Sequence, residues 1–578
     1  MIATRTIRSR VIPDSSADLP EDFHPVIRRV LLARGVRAAG ELSLAMQDML
    51  RPDDLGGIEQ AAALLADAVT EDKQILIVGD FDADGATGTA LAMLSLAAMG
   101  CGKVDFRVPN RFEFGYGLTV PLVDTLVDDP PDLLLTVDSG ISCNEGIERA
   151  RELGCRIIVT DHHLPGEKLP AAHAIVNPNC AGDVFPSKAM AGVGVMFYLL
   201  SVLRRELRAR GWFSVSRPEP NLARFLDLVA LGTVADLVPL DHNNRVLVRQ
   251  GLERIRRGMA RPGLMALLRL GKRDYRFADA SDLGFAVGPR LNAAGRLEDM
   301  GTGIRCLLTD DSSEAMRLAK QLDELNQQRR GLQEQMQQEA LGQVEELLAS
   351  LAQQELPAAL CLFDESWHQG IVGLVASRVK DAVHRPVFAF APESEGASVL
   401  KGSARSVKGL HIRDVLAYVD SHQPGLMKAF GGHAMAAGLT LDGSHYARFV
   451  KSVSAAVTAI LDGTELNAEL LTDGELAASD ISLGFAASLD RLGPWGQHFP
   501  EPVFDGLFEV IERRVVGGSH LKMIVRSIDG GEPVDAIAFN RLPEDLPASG
   551  AVRLLYRLGI NRWRGSESCQ LMVEEIVR

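Results

Sequence analysis

Asp80, Asp82 and Asp84 stand at every second position of VGDFDADGATGTA (78–90), directly after the apolar run ILIVG (75–79). An extended chain alternates sides, so this spacing directs all three carboxylates into one crevice. Like charges that close repel unless cations sit among them. Hard oxygen ligands of this kind suit Mg²⁺ or Mn²⁺. The opening D-x-D-x-D-G also begins a calcium EF-hand loop. That loop needs a glutamate at its twelfth position, which here is Leu91, and a helix before it, where this chain has a strand pattern. No G-K-[ST] follows, which excludes a phosphate loop. A solvated acidic turn is the bland alternative for this segment taken alone.

Two more acids repeat the arrangement. LLLTVDSGIS places Asp138 at the end of a second apolar run, and RIIVTDHHLP places Asp161, His162 and His163 at the end of a third. Two adjacent histidines after an aspartate at a strand end predict a ligand and an orienting partner. In an open parallel sheet, ligands bind beyond the carboxyl ends of the strands. Asp236 in FLDLVALGTVADLVPL lies within an apolar, helical pattern, where a charge is costly unless paired or metal-bound. This mixed carboxylate–imidazole set has room for two divalent ions, which can activate water and stabilise both oxygens of an in-line displacement at phosphorus. The chemistry read from the residues is metal-dependent hydrolysis of a phosphoester or phosphoanhydride. No G-x-S-x-G is present. The seven cysteines (101, 143, 155, 180, 306, 361 and 569) are never in a C-x-x-C pair, which fits reduced thiols and not a zinc knot.

Strand patterns at 75–79, 104–108, 133–137, 156–160 and 174–176 alternate with helical ones such as TALAMLSLAAMG (89–100), which predicts a parallel, doubly wound α/β sheet. Residues 1–70 read as an N-terminal helical segment, and 71–240 as the catalytic core. The region 241–355 reads as helical, its end (313–354) a long solvated helix bridging two domains in preference to an oligomerising coiled coil. A second α/β region is expected over 356–465, and a small β-barrel over 466–578. The composition of the 578 residues, 46% apolar and 24% charged, is that of an ordinary globular chain and excludes disordered and collagen-like classes. No run approaches a membrane span. The N-terminal residues lack an apolar stretch, so no secretory signal is read and a cytoplasmic location is expected. With a net charge of −15, nucleic-acid binding would need local basic patches.

Asp80/Asp82/Asp84, Asp138, Asp161-His162-His163 and Asp236, in this order, resemble the four motifs of the DHH phosphoesterase superfamily. GPRLNAAGRL (288–297), DESWHQGIVGLVASRV (364–379), KGSARS (401–406), AFGGHAMAAG (429–438) and GPWGQHFPEPVF (493–504) are similar to the superfamily's exonucleases that degrade single-stranded DNA from the 5′ end. The resemblance implies a parallel-sheet DHH core, a long bridging helix, a DHHA1-like second domain and an OB-fold barrel. It implies two Mn²⁺ or Mg²⁺ ions on Asp82, Asp84, Asp138, His162 and Asp236, with Asp138 bridging, and catalytic roles for Asp80 and His163. One departure is Ala404, where relatives often carry glycine.

Arg111, Arg290, Arg296 and Arg405 are candidates for phosphate. Ser403, Arg405, Ser406 and the Gly431-Gly432 turn would make an anion nest, with His433 at the scissile phosphate or leaving group. A surface salt bridge is the plain alternative for each arginine. In the barrel, Arg513, Arg514, Lys522 and Arg526 near Phe508 and His520, and Arg562, Trp563 and Arg564, are expected on a DNA-binding surface. Residues 501–578 nevertheless carry 12 acids against 10 bases, so binding would rest on one face. A barrel that only buttresses its neighbours is the alternative. The partners implied are single-stranded DNA, a helicase and a single-strand-binding protein, with no membrane and a monomeric chain. The competing activity is that of a DHH-family phosphodiesterase for short oligonucleotides or cyclic dinucleotides. A non-catalytic scaffold is disfavoured because every expected ligand is present.

Overall fold

The computed structural model describes residues 5–12, 18–111, 113–350, 357–394, 396–461, 468–547, 550–563 and 565–577, with backbone alone for 5, 347–350 and 468. The chain divides into two compact units. One is Ser9–Glu324 with Leu471–Arg578, and the other is Met1–Arg8 with Leu325–Leu470. Residues 1–70 depart from the expected helical segment. They open with strand β1 (Arg5–Ser9), and among the described residues their α-helices are only Pro25–Leu32 and Ile58–Thr70, joined by 3-10 turns. Pro20, Pro25 and Pro52, with Gly56 and Gly57, interrupt any longer helix. Asp53 and Asp54 favour turns.

The first unit is built on a five-stranded parallel sheet of β2 (Ile75–Gly79), β3 (Val104–Arg107), β4 (Leu133–Val137), β5 (Arg156–Thr160) and β6 (Ala174–Val176). The spatial order is β3-β2-β4-β5-β6. β2 and β4 are buried along their whole length, because helices cover both faces and leave no polar side to alternate with. The order reverses between β2 and β4, the switch point at which such sheets open a crevice. Helix Leu226–Ala235 packs against helix Ala83–Ala98. The approach is close enough that a Cβ on Gly232 would fall 2.2 Å from Thr87 Oγ1.

The second unit holds a sheet of β7 (Leu360–Phe363), β8 (Val387–Pro392), β9 (Val399–Arg405), β10 (Met427–Gly432) and β11 (Ala436–Asp442), in the order β10-β11-β9-β8-β7. Only β7 and β8 run parallel. Helix Ser312–Ser350 is continuous across the boundary between the units. It is not solvated all round. Ala315, Leu318, Ala319 and Leu322, then Met336, Ala340 and Val344, are buried at helical spacing. The last residues of the expected helix, 351–354, lie outside the described ones.

β12 (Ala468–Thr472) pairs with β1. A closed five-stranded barrel then follows in the first unit: β13 (Phe504–Val516), β14 (His520–Ser527), β15 (Gly530–Ala538), β16 (Val552–Trp563) and β17 (Ser566–Val577), in the order β13-β14-β15-β17-β16. Closure removes exposed edges, and one β15–β17 pairing is parallel, as in an OB-fold. Phe508, expected on the binding surface, is 1% exposed and packs in the barrel core. At that register the side chain of β13 points inward. Val26 and Val30 of helix Pro25–Leu32 join the same core.

Arg34 fixes this junction. It makes two hydrogen bonds to Asp473, at 2.7 and 3.0 Å, and one to the Pro500 carbonyl at 2.6 Å, with both side chains fully buried. Removing one partner leaves an uncompensated buried charge. Arg34→Ala is therefore expected to destabilise this unit by roughly 3–5 kcal/mol, and an Arg34→Met/Asp473→Leu pair by much less. Urea unfolding followed by the fluorescence of Trp495, whose ring lies 5.4 Å from Arg34 Cζ, measures it. Equal losses in the two variants would show that the pair carries no such charge.

Candidate metal centre

Gly79, Val137, Thr160 and Val176 stand in register at the carboxyl ends of β2, β4, β5 and β6. The residues that follow, Asp80, Asp138, Asp161 and Asn177, leave the sheet side by side. Their order is held by one further rung of hydrogen bonds, from Asp80 N to Val137 O (3.2 Å), Asp138 N to Thr160 O (3.1 Å) and Asp161 N to Val176 O (3.1 Å). Asp138 has φ of 60°, a left-handed conformation that a non-glycine residue adopts only under constraint. Thr160 Oγ1 donates to Thr136 O at 2.6 Å and Thr136 Oγ1 to Ser139 O at 2.7 Å, which pins that turn.

The three early carboxylates reach the crevice by a different route from the one expected. The chain is extended only to Gly79. Asp82 is the N-cap of helix Ala83–Ala98, accepting from Asp84 N and Gly85 N, and Asp84 lies in the first helical turn. Capping, not strand alternation, sets their directions. Asp84 accepts from Gly192 N (2.6 Å) and Val193 N (2.9 Å) at the start of helix Gly192–Ala209. Asp236 sits just past helix Leu226–Ala235, not inside it, and Leu237 follows with φ of 59°.

These groups converge. His162 Nε2 lies 3.0 Å from Asp138 Oδ1, 3.4 Å from Asp236 Oδ2 and 4.0 Å from Asp84 Oδ2. Asp80, Asp82 and Asp138 offer oxygens within 4.8 Å of one another. At that separation each ionised pair repels by about 3–4 kcal/mol at an effective dielectric of ~20, so three pairs rival the stability of a whole domain. Burial, reinforced by neighbouring carboxylates, accordingly drives Asp80, Asp138 and Asp236 well above the usual carboxylate range. The same causes push Asp84 up to about 7 against its two backbone donors. Asp80 Oδ1 and Asp138 Oδ1 are buried and receive no hydrogen bond, despite the nearness of His162 to the latter. Buried oxygens without donors, beside an imidazole, suit divalent cations.

Asp161 is not among the converging oxygens. It accepts from Ile141 N, His162 N and His163 N, and from His163 Nδ1 at 2.8 Å. Burial alone would raise Asp161, yet these bonds lower it. Burial would lower His163, yet Asp161 raises it. His163 is thus the member oriented by Asp161, and His162 is the one among the carboxylates. Asn177 Nδ2 and Asn179 Nδ2 donate to the carbonyls of His163 and His162 at 2.9 and 2.6 Å.

Sequence reasoning passed over these two asparagines. It also passed over Tyr116, whose hydroxyl lies 3.3 Å from Asp138 O and 3.5 Å from His163 Nδ1. The A-I-V-N-P-N run after the last strand was the available signal for the asparagines. Tyr116 had none.

Arg111 stands over Phe81 with Cζ 4.2 Å from the ring centroid. Burial lowers its pKa, opposed by the charges of Asp80 and Asp82. Arg290 instead pairs with Asp323 at 2.8 Å and donates to Ala286 O. Its motif serves the site by packing. Asn292 Oδ1 accepts from Ala83 N at 2.8 Å, and a Cβ on Gly295 would fall 1.8 Å from Phe81 O. Arg296, next along, is half-buried.

In the second unit, Ser403 and Arg405 lie on β9, with Gly431 and Gly432 on β10 and His433 in the turn that follows. Gly431, Gly438 and Ser403 are in register across the three strands. Arg405 Nη1 donates to Ser403 Oγ (2.9 Å) and Ala404 O (2.8 Å), and no carboxylate among the described residues pairs with it. Gly373 lies against both side chains, since a Cβ there would meet each at 2.8 Å. Ser406 directs its hydroxyl to Leu410 O and its N–H to Met435 O, so it shapes the turn. Ala404 has no positive φ, so its departure from glycine is without backbone consequence.

A parallel sheet with this row of acids and histidines defines a DHH-type phosphoesterase. Family models agree, matching "DHH family, N-terminal domain" over residues 74–233, "DHHA1 domain" over 350–459 and "RecJ OB domain" over 472–575. The Single-stranded-DNA-specific exonuclease RecJ of Escherichia coli is 50% identical over 97% of each chain, and that of Haemophilus influenzae 48% over 99% of each. The crystal structure of RecJ in complex with Mn²⁺ from Thermus thermophilus superposes with a TM-score of 0.78 at 31% identity. It covers 96% of this chain and 76% of that one. The chain belongs to the RecJ family.

A Cβ on Gly192 would lie 2.6 Å from Asp138 Cβ. Gly192→Ala is therefore expected to displace Asp138 by a few tenths of an ångström or more and to lower kcat on the order of a hundredfold. Steady-state kinetics beside a thermal melt test this. Wild-type turnover in the variant would remove the glycine from the constraints on the site.

Proposed function

We propose that the chain hydrolyses single-stranded DNA from its 5′ end and releases 5′-mononucleotides, in DNA repair and recombination. The observation that carries this reading is the single row of Asp80, Asp138 and Asp161-His162-His163 beyond adjacent parallel strands. It lies in a chain half identical, over nearly all its length, to a RecJ exonuclease. Asp80, Asp82, Asp84, Asp138, His162 and Asp236 would hold two divalent ions, Mn²⁺ or Mg²⁺. Asp138 lies both among the oxygens of Asp80 and Asp82 and beside His162, so it would belong to the ligand set. When bound, the ions supply water activation near neutral pH and charge neutralisation at the phosphate.

The other residues act around that centre. His163, oriented by Asp161, donates to a phosphate oxygen, and Tyr116 limits its rotation. Arg111, raised on the Phe81 ring, faces the phosphate as a charge that cannot be titrated away. In the second unit, Arg405 with Ser403, the Gly431-Gly432 strand end and His433 receives a terminal phosphate. A largely buried guanidinium with no carboxylate partner among the described residues supports this. Arg296 remains a candidate for the DNA backbone, whereas the Asp323 pair makes Arg290 structural. A monomer in the cytoplasm, working with a helicase and a single-strand-binding protein, completes the proposal. Seven free cysteines fit a reducing compartment, and no helix among the described residues is long and apolar enough to cross a membrane.

The test is a long oligonucleotide labelled at either end, supplied single- or double-stranded with Mn²⁺ or Mg²⁺. Labelled 5′-mononucleotide is expected at once from single strands, with duplex resistant and chelator abolishing release. Intact long strands beside rapid cleavage of two- to five-nucleotide substrates would transfer the chain to the short-oligonucleotide phosphodiesterases. Asp138→Ala is expected to abolish turnover and to remove the rise in melting temperature that Mn²⁺ gives the wild-type protein. A full Mn²⁺-induced rise in the variant would contradict the ligand assignment. Arg405→Ala is expected to erase any preference for a 5′-phosphate over a 5′-hydroxyl while hydrolysis of the latter continues.

A further inference from the structure

Asn244, in VPLDHNNR (238–245), is fully buried at the start of helix His242–Arg256, outside the row of acids and histidines. Its Nδ2 donates to two carbonyls, Ala189 O at 2.8 Å and Pro239 O at 2.9 Å. Pro239 stands three residues after Asp236, and Ala189 three residues before Gly192. Gly192 N and Val193 N are the donors to the Asp84 carboxylate. One amide thus ties the segment that carries Asp236 to the segment that holds Asp84. The adjacent residue, Lys188, is tied in the same way. Asn179 Nδ2 donates to Lys188 O at 3.2 Å and to His162 O at 2.6 Å. Asp241 closes the arrangement, accepting from Ser187 Oγ at 2.5 Å and from Asn244 N at 2.9 Å.

The three side chains served in this way, Asp84, His162 and Asp236, offer ligand atoms within 4.8 Å of one another. They come from a first helical turn, a strand end and a helix C-terminus, so sequence proximity does not gather them. Resting on the metal-dependent reading, we propose that Asn179 and Asn244 are positioning residues that set the geometry of this one ligand group, and with it the affinity of one of the two divalent ions. A carboxamide suits the task. Its nitrogen offers two N–H donors without charge, so it bridges two carbonyls inside the protein. An ammonium there would cost desolvation, and a carboxylate would repel both carbonyls. Asp80, Asp82 and Asp138 are placed by other means. Asp80 and Asp138 follow strand ends whose level the ladder fixes, and Asp82 caps its helix. Loosening the two amides therefore acts on one group more than on the other.

The probe is Mn²⁺ alone, titrated calorimetrically into full-length metal-free protein, so that occupancy is read without turnover. Wild type is expected to take up two ions. Asn244→Ala and Asn179→Ala are each expected to weaken one of them by about tenfold to a hundredfold, and to leave the other within about twofold of wild type. On single strands, kcat is expected to fall at limiting Mn²⁺ and to recover with excess, at an unchanged KM for DNA. Tyr198→Phe is the control. Its hydroxyl lies 2.9 Å from Asn243 Oδ1 at the same helix start, so the change removes a buried hydrogen bond there without touching either amide. Both Mn²⁺ affinities are expected to survive it. Equal weakening of the two ions in the asparagine variants, or no weakening in either variant, would overturn the proposal. So would a matching loss in Tyr198→Phe, which would reduce the amides to general packing. Asn179 is only half-buried, so its variant decides the matter should Asn244→Ala not fold. Failure of the metal-dependent reading shows separately, as wild-type protein that does not take up two Mn²⁺ ions.

Discussion

Carboxylates packed close together out of water are the constraint on which the rest of this structure depends. Every neighbouring element can be understood as holding them there against their mutual repulsion. The sheet supplies the register, because a parallel ladder must end its strands level before adjacent residues can leave it in a row. Helix N-termini supply partial positive charge, with Gly192 N and Val193 N aimed at Asp84. Glycines at 192, 232 and 295 let backbones approach where any side chain would push an acid out of place. Burial and mutual repulsion both raise Asp80 and Asp138, and a bound cation would favour their ionised forms instead.

Much of this was legible in the residues. Strand ends are marked by apolar runs that stop at an acid, and that pattern located β2, β4 and β5 together with Asp80, Asp138 and the Asp161-His162-His163 triplet. What misled was local geometry. Every-second spacing suggested an extended chain at Asp80–Asp84, but Asp82 caps a helix, and the alternation rule lapses one residue beyond Gly79. Phe508 looked like a surface aromatic because its neighbours are basic, while the strand register turns it into the barrel core. Arg290 looked like a phosphate ligand until its partner Asp323, 33 residues away, came beside it. Tyr116 and the two asparagines act through carbonyls and ring edges, and such contacts leave no periodic trace.

The barrel is more than an appendage to the first unit. Segment 493–504 docks on helix His242–Arg256, where Arg249 donates to Arg491 O and Gly493 O, Arg245 lies over Phe499 and Leu240 N bonds Gln497 O. Leu240 is four residues from Asp236. Contacts that seat the barrel therefore also brace the chain that carries Asp236, one of the converging acids.

The buried Arg34–Asp473 pair joins residues 439 positions apart. At a translation rate of ~5–20 residues per second, the aspartate emerges roughly 20–90 s after its arginine. Throughout that interval Val26 and Val30 of helix Pro25–Leu32 lack their barrel partners, although the parallel sheet is already complete in sequence. The Leu325–Leu470 unit must be synthesised before the first unit can close. A ribosome that stalls within it leaves a nascent chain with every converging acid made and no finished scaffold.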